Sequence, residues 1–265
     1  MKFSRPFQHE EARVKWREDL KNHFVAATGE FVGTFLFLYL AFAGHLMSVD
    51  QAVAPAAQGG NANSTVIYIS MSYGFALLVT VWGFYRISGG LFNPAVTLGL
   101  CLSQQLAWTR AAFLFPAQLL GSMTAAGLVS CMFPGDIGSV NTTLSRNTSI
   151  AQGCFIEMFL TSVLVFTVLM LAAEKSKDTF LAPVGIGLAL FICEIAGVNS
   201  TGGSLNPVRS FGPAVASNFP GYHWIYWVGP CLGSLITSGY YLFVKYFHYE
   251  EANPGQDSAD GDFRD

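Results

Sequence analysis

Charge is what this sequence has least of. Only 12% of its 265 residues are Asp, Glu, Lys or Arg, while 52% are hydrophobic. A soluble domain carries about 25% charged residues. One soluble core cannot bury so much apolar surface, so a bilayer is the natural solvent for the chain. The net charge of −3 lacks the basic excess that nucleic acid demands, and no nucleic-acid partner is expected. Cysteine is sparse too. Cys101, Cys131, Cys154, Cys193 and Cys231 are scattered, without the spacing of a zinc site or a disulfide framework. No metal and no cofactor is expected. No nucleophile, base and orienting group come together, which argues against an enzyme. Residues before the first apolar run are polar and charged, and that run is too long for a signal-peptide core.

Long apolar runs are what is there. Six of them are long enough to cross: Phe24–Met47, Val66–Phe84, Leu106–Phe133, Ile150–Ala173, Phe180–Val198 and Trp224–Phe247. Each approaches the ~20 residues that span a hydrocarbon core. In lipid the backbone must satisfy its own hydrogen bonds, so the runs read as helices. Threading six spans puts Lys2, Arg5, Arg13, Lys15, Arg17, Lys21, Arg86, Arg110, Lys175, Lys177, Lys245 and Arg264 on one side, twelve of the fourteen basic residues. The positive-inside rule then makes both termini cytoplasmic. Glycosylation sequons at Asn63, Asn141 and Asn147 lie in the two loops this topology places outside, and a fourth at Asn199 abuts a motif described next. The expected organisation is a mixed-charge tail over 1–22, a channel-like domain over 23–248 and an acidic, disordered tail over 249–265. The first tail has room for a short surface helix, with Phe3 and Phe7 as candidate plugs of an inner mouth.

The chain also repeats itself. Ser88-Gly89-Gly90-Leu91-Phe92-Asn93-Pro94-Ala95-Val96 follows the second span, and Thr201-Gly202-Gly203-Ser204-Leu205-Asn206-Pro207-Val208-Arg209 follows the fifth. Spans one and four begin with membrane-embedded acids, Glu30 and Glu157. The unit is thus three spans plus one motif, about 24–133 and about 150–247. Three is odd, so the second copy is inverted and the two motifs enter from opposite faces. Asn is a good helix N-cap, Pro suits the first helical position, and paired Gly permits a tight turn. The apolar stretch after each Asn is about ten residues, or about 15 Å of helix, half a bilayer. Two half-helices would meet N-terminus to N-terminus, concentrating positive potential at the midplane. Each Asn can cap with its oxygen and aim N–H donors at the lumen.

Two Asn-Pro motifs in this setting, with the order Glu30, Asn93, Glu157, Asn206, Arg209, closely resemble aquaporins, the major intrinsic protein family. The resemblance is to the orthodox water-channel type and to fungal members, and covers about 24–247. It implies an all-α membrane fold of six spans and two re-entrant half-helices in an inverted 3+3 repeat. It implies single-file passage of water, with Asn93 and Asn206 as central donors and Arg209 as the filter cation that repels ions. Tyr73 and Gly203 match further filter positions, usually Phe and, in some members, Cys. The last filter position, usually His, is Glu194. That carboxylate either reshapes the filter beside Arg209 or forms a structural pair outside the lumen. Glu30 and Glu157 are expected to accept hydrogen bonds from the half-helix loops. Val208, where the family has Ala, adds bulk where the half-helices meet. Ser210 after the arginine, and Tyr226-Trp227 in span six, favour water over glycerol. Hydrogen peroxide, ammonia or another small neutral solute is the alternative cargo because of Glu194. The resemblance also implies a homotetramer in contact with membrane lipid, expected in the plasma membrane. A secondary transporter would share inverted repeats and broken helices, and an adhesion protein would want longer loops.

Overall fold

A computed structural model describes residues 6–56 and 62–252, with side-chain surroundings for 18–50, 64–176 and 179–252. Of the proposed plugs, Phe3 and the side chain of Phe7 lie outside the described residues, as do the side chain of Asn63 and the tail over 253–265. Among the described residues all regular secondary structure is helical. In order come α1 (Pro6–Ala56), α2 (Ala62–Phe84), the half-helix α3 (Pro94–Leu102), α4 (Trp108–Met132), α5 (Ile150–Val168), α6 (Ala182–Thr201), the half-helix α7 (Pro207–Ala216), α8 (Ile225–Tyr246) and a last turn, α9 (Tyr249–Ala252).

Five stretches among the described residues are long and apolar enough to cross a membrane: Glu18–Asp50, Ser64–Phe84, Trp108–Met132, Ile150–Ala173 and Thr179–Thr201. The expected sixth span, α8, is 22 residues long, about 33 Å of helix. Its Gly, Ser, Tyr and Pro content makes it less apolar, but it pairs with α5 as α4 pairs with α1. One expectation changes in form. The N-terminal segment has no break before the first span, because α1 is continuous from Pro6 through 51 residues.

The inverted repeat is visible in the packing. α1, α2 and α4 form one half, and α5, α6 and α8 the other. Each half-helix leans on the last span of the opposite half, α3 on α8 and α7 on α4. Ser234 of α8 donates to the Ala95 carbonyl at 2.6 Å. Ser122 of α4 donates likewise to the Val208 carbonyl. The two serines follow Gly233 and Gly121, so the same Gly-Ser pair clamps each half-helix.

The halves meet along α2 and α6. There Gly74 and Gly187 face one another so closely that side chains have no room. A Cβ on Gly187 would sit 2.7 Å from the Gly74 carbonyl oxygen, and one on Gly74 would sit 2.9 Å from that of Gly187. Close backbone approach through small residues is how membrane helices gain van der Waals contact without a hydrophobic driving force. The obstacles here are backbone atoms and the Cβ atoms of Leu78 and Phe191, none of which can swing aside. Gly187→Val is therefore expected to destabilise the protein by about 1–3 kcal/mol, read as a lower thermal midpoint in detergent. Gly127→Val, where a Cβ meets nothing within 4 Å, is expected to leave the midpoint unchanged.

Candidate pore

The centre is built by two strained turns. Gly89 and Gly90 take φ of 104° and 68°, and Gly202 and Gly203 take 82° and 62°. Both runs continue to a non-glycine residue in the left-handed region, Phe92 at 53° and Leu205 at 51°. Such backbone persists only where its surroundings hold it. The holders are the two buried acids. Glu30 accepts from the Leu91 and Phe92 amides at 3.0 and 2.8 Å, from Ser88 at 2.6 Å and from Gln118 at 2.8 Å. Glu157 accepts from the Ser204 and Leu205 amides at 3.0 and 2.8 Å and from Thr201 at 2.6 Å.

Each turn then delivers an asparagine. Asn93 Oδ1 caps α3 by accepting from the Ala95 and Val96 amides at 2.8 and 3.4 Å. Asn206 Oδ1 caps α7 by accepting from Val208 at 3.1 Å. Pro94 and Pro207 open the two helices. The amide nitrogens do something the sequence did not reveal. Asn93 Nδ2 donates to the Leu205 carbonyl at 2.8 Å, and Asn206 Nδ2 donates to the Phe92 carbonyl at 2.9 Å. Each carboxamide thus spends one N–H on the opposite loop and keeps one. Val208 is fully buried without disturbing α7, since its amide and carbonyl both find partners.

A cavity of about 290 Å³ runs past both asparagines. Its walls include Tyr73, Glu194 and Arg209 at one end and Tyr85, Gln105 and Lys175 at the other. Leu77, Val81, Val96, Leu164, Ile186 and Leu190 make the stretch between largely apolar. Lys175 is tied at its end, donating to the Tyr85 hydroxyl at 3.1 Å and the Ala172 carbonyl at 2.6 Å.

The structure brings three of the four predicted filter residues to the cavity wall. Gly203 stands behind Glu194, and a Cβ there would collide with the carboxyl. Arg209 is 1% exposed. It donates to the Val140 carbonyl at 2.8 Å and, more weakly, towards Gly202 at 3.4 Å, and its guanidinium lies 4.5 Å from the Tyr73 ring centre. Of the two readings of Glu194, the outside pair is not formed among the described residues. Glu194 is fully buried on the cavity wall, and neither carboxyl oxygen has a hydrogen-bond partner among the described residues. Two residues here were missed in the sequence. Val140 ends a short 3-10 turn (Ile137–Val140) and contributes only its backbone carbonyl, and His45 lies in α1, where Nδ1 is 3.2 Å from the Tyr73 hydroxyl and 3.4 Å from Arg209 Nη2.

Of the sequons, Asn147 is exposed. Asn141 is buried and donates through Nδ2 to Ser217 and Asn218 at 2.8 and 3.1 Å, so the atom a glycan would need is occupied.

Comparison with known proteins agrees with this architecture. The family described as Major intrinsic protein matches residues 18–241. "Probable aquaporin-3" of Gibberella zeae is 65% identical over 252 residues, covering 95% of this chain and 88% of that protein. "Aquaporin-7" of Botryotinia fuckeliana is 51% identical over 263 residues and 97% of this chain, which spans only 57% of that relative's length. The solved aquaglyceroporin from Plasmodium falciparum superposes with a TM-score of 0.69, covering 83% of this chain and 95% of its own, at 23% identity. That likeness carries the fold. The family match spans both repeats and is joined by a relative of such high identity, so the chain belongs to the major intrinsic protein family.

Proposed function

We propose that this protein is a passive water channel, conducting in single file down the osmotic gradient. Family membership supports a membrane channel for water or small solutes. The observation that carries the finer reading is the pair of asparagines. Both face one cavity, and each has one N–H held by the opposite loop and one left over. A water between them accepts two donors through its oxygen, which leaves it badly placed to relay a proton. A cation there meets the positive ends of two half-helices, and Arg209 adds a fixed charge at one end. Ser210, which hydrogen-bonds Ser204 at 2.6 Å, and the buried Tyr226 support water over glycerol by their resemblance to water channels.

A second reading is favoured by one observation, the unpartnered carboxyl oxygens of Glu194. They offer acceptors to hydrogen peroxide, ammonia or another small neutral solute with donors of its own. The family resemblance further supports a homotetramer in the plasma membrane with cytoplasmic termini, and the exposure of Asn147 makes it a better glycan acceptor than Asn141.

Stopped-flow light scattering on proteoliposomes tests the reading. Water flux well above empty vesicles, with little glycerol flux, is expected. Flux of peroxide or ammonia without water would move the assignment to the second reading, and no flux of any would refute both. Arg209→Val is expected to admit glycerol or cations, since it removes a guanidinium from the wall. Unchanged permeability to both would mean that Arg209 does not face the lumen. Glu157→Gln replaces an acceptor by a donor against the Ser204 or Leu205 amide. It is expected to cost about 1–3 kcal/mol, seen as a lower thermal midpoint with reduced water flux.

A further inference from the structure

Arg209 and Glu194 are both buried on one cavity wall, yet they do not pair. Among the described residues the ion pairs are those of Lys245 with Glu174 and Glu250, at the far end of α8. A buried guanidinium beside a carboxyl ordinarily closes into a bidentate contact, because each leaves the other's desolvation uncompensated. Here Glu194 Oε1 and Oε2, and Arg209 Nε, all lack a protein partner.

The restraints on Arg209 can be counted. Two are backbone carbonyls, Val140 and Gly202, and two are aromatic rings, Tyr73 at 4.5 Å and Phe42 at 5.8 Å from the guanidinium carbon. Among the described residues one side chain remains as a hydrogen-bond partner, His45. The chemistry of that contact is constrained. A guanidinium is donor-only, so His45 Nδ1 must be the acceptor, which places the ring proton on Nε2. The Tyr73 hydroxyl reaches the same nitrogen, so one lone pair gathers the Arg209 donor and the Tyr73 donor together. His45 is 5% exposed, and its ring stands at 76° to that of Tyr73. It therefore fixes both the arginine and the aromatic wall on which the arginine lies.

We propose that His45 is a positioning residue of the filter. It draws Arg209 onto Tyr73 and away from Glu194, so that no ion pair closes across the cavity wall between them. The proposal rests on the reading of this cavity as the conducting path. It deepens that reading by adding a residue from α1 to a filter otherwise drawn from α2, α6, the second re-entrant turn and α7. Loss of His45 frees the guanidinium to cross to Glu194 and close the lumen with an ion pair.

The test is a mutant cycle on the full chain in proteoliposomes, with His45→Ala, His45→Asn, Glu194→Ala and the double variant His45→Ala/Glu194→Ala. Osmotic water flux and the structure of His45→Ala are the two readouts. His45→Ala is expected to lower flux at least about tenfold, with Arg209 found on Glu194. His45→Asn, whose Oδ1 can replace the Nδ1 acceptor, is expected to keep most of the flux. In the Glu194→Ala background, removal of His45 is expected to change flux less than about twofold. Arg209 still lying on Tyr73 in His45→Ala overturns the proposal, whatever the flux. An equal loss in both backgrounds overturns it too, since a packing role does not depend on Glu194. A wild type that passes no water, with Arg209 moving onto Glu194 in His45→Ala, refutes the water reading and supports the clamp.

Discussion

Backbone amides inside a bilayer must find acceptors within the protein, and the two re-entrant turns find theirs in Glu30 and Glu157. The rest of the centre depends on that bargain. Phe92 and Leu205 can hold left-handed conformations because their amides end on a carboxyl oxygen, each at 2.8 Å. With the turns fixed, Asn93 and Asn206 start their helices inside the bundle instead of at its surface. With the asparagines fixed, each donates across to the other turn, so neither half of the repeat can form its part of the centre alone. The Gly74–Gly187 seam and the serine clamps from α4 and α8 bring the halves close enough for this exchange.

The inverted repeat makes the centre symmetric and leaves the two ends of the cavity unlike. The first motif has Val96 where the second has Arg209, so a fixed charge stands at one end only. At that end the wall combines an aromatic ring, a guanidinium and an unpartnered carboxyl, with Gly203 providing the space the carboxyl occupies. The opposite end carries Lys175, tied to Tyr85 and to a backbone carbonyl.

Much of this was legible because its signals are local or repeated. An Asn-Pro after paired glycines announces a helix start wherever it lies, and its second copy half a chain later announces the inversion. Intramembrane acids at matching positions of spans one and four marked Glu30 and Glu157 for the same reason. What sequence could not show depends on contacts between distant segments. His45 and Arg209 are 164 residues apart, and nothing in the run around His45 separates it from an ordinary polar residue at a helix end. Val140 contributes a carbonyl, which has no sequence signature at all. Gln118 reads as one more residue of an apolar span until its amide is found on Glu30. Asn141 matched a sequon, but tertiary contacts to Ser217 and Asn218 decide its availability. The Gly-Ser pairs at 121–122 and 233–234 were the one long-range feature with a findable signal, since they recur at equivalent places in the two repeats.

The central claim is that two half-helix ends and two asparagine donors conduct water while refusing protons. The direct measurement records water and proton flux in the same proteoliposomes, by light scattering and an enclosed pH dye, for the wild type and Asn206→Asp. The account predicts fast water without proton leak in the wild type. It predicts slower water with a measurable leak in the variant, whose carboxylate offsets the positive helix end and loses the donor to Phe92. An Asn206→Asp variant as fast and as proton-tight as the wild type would contradict it.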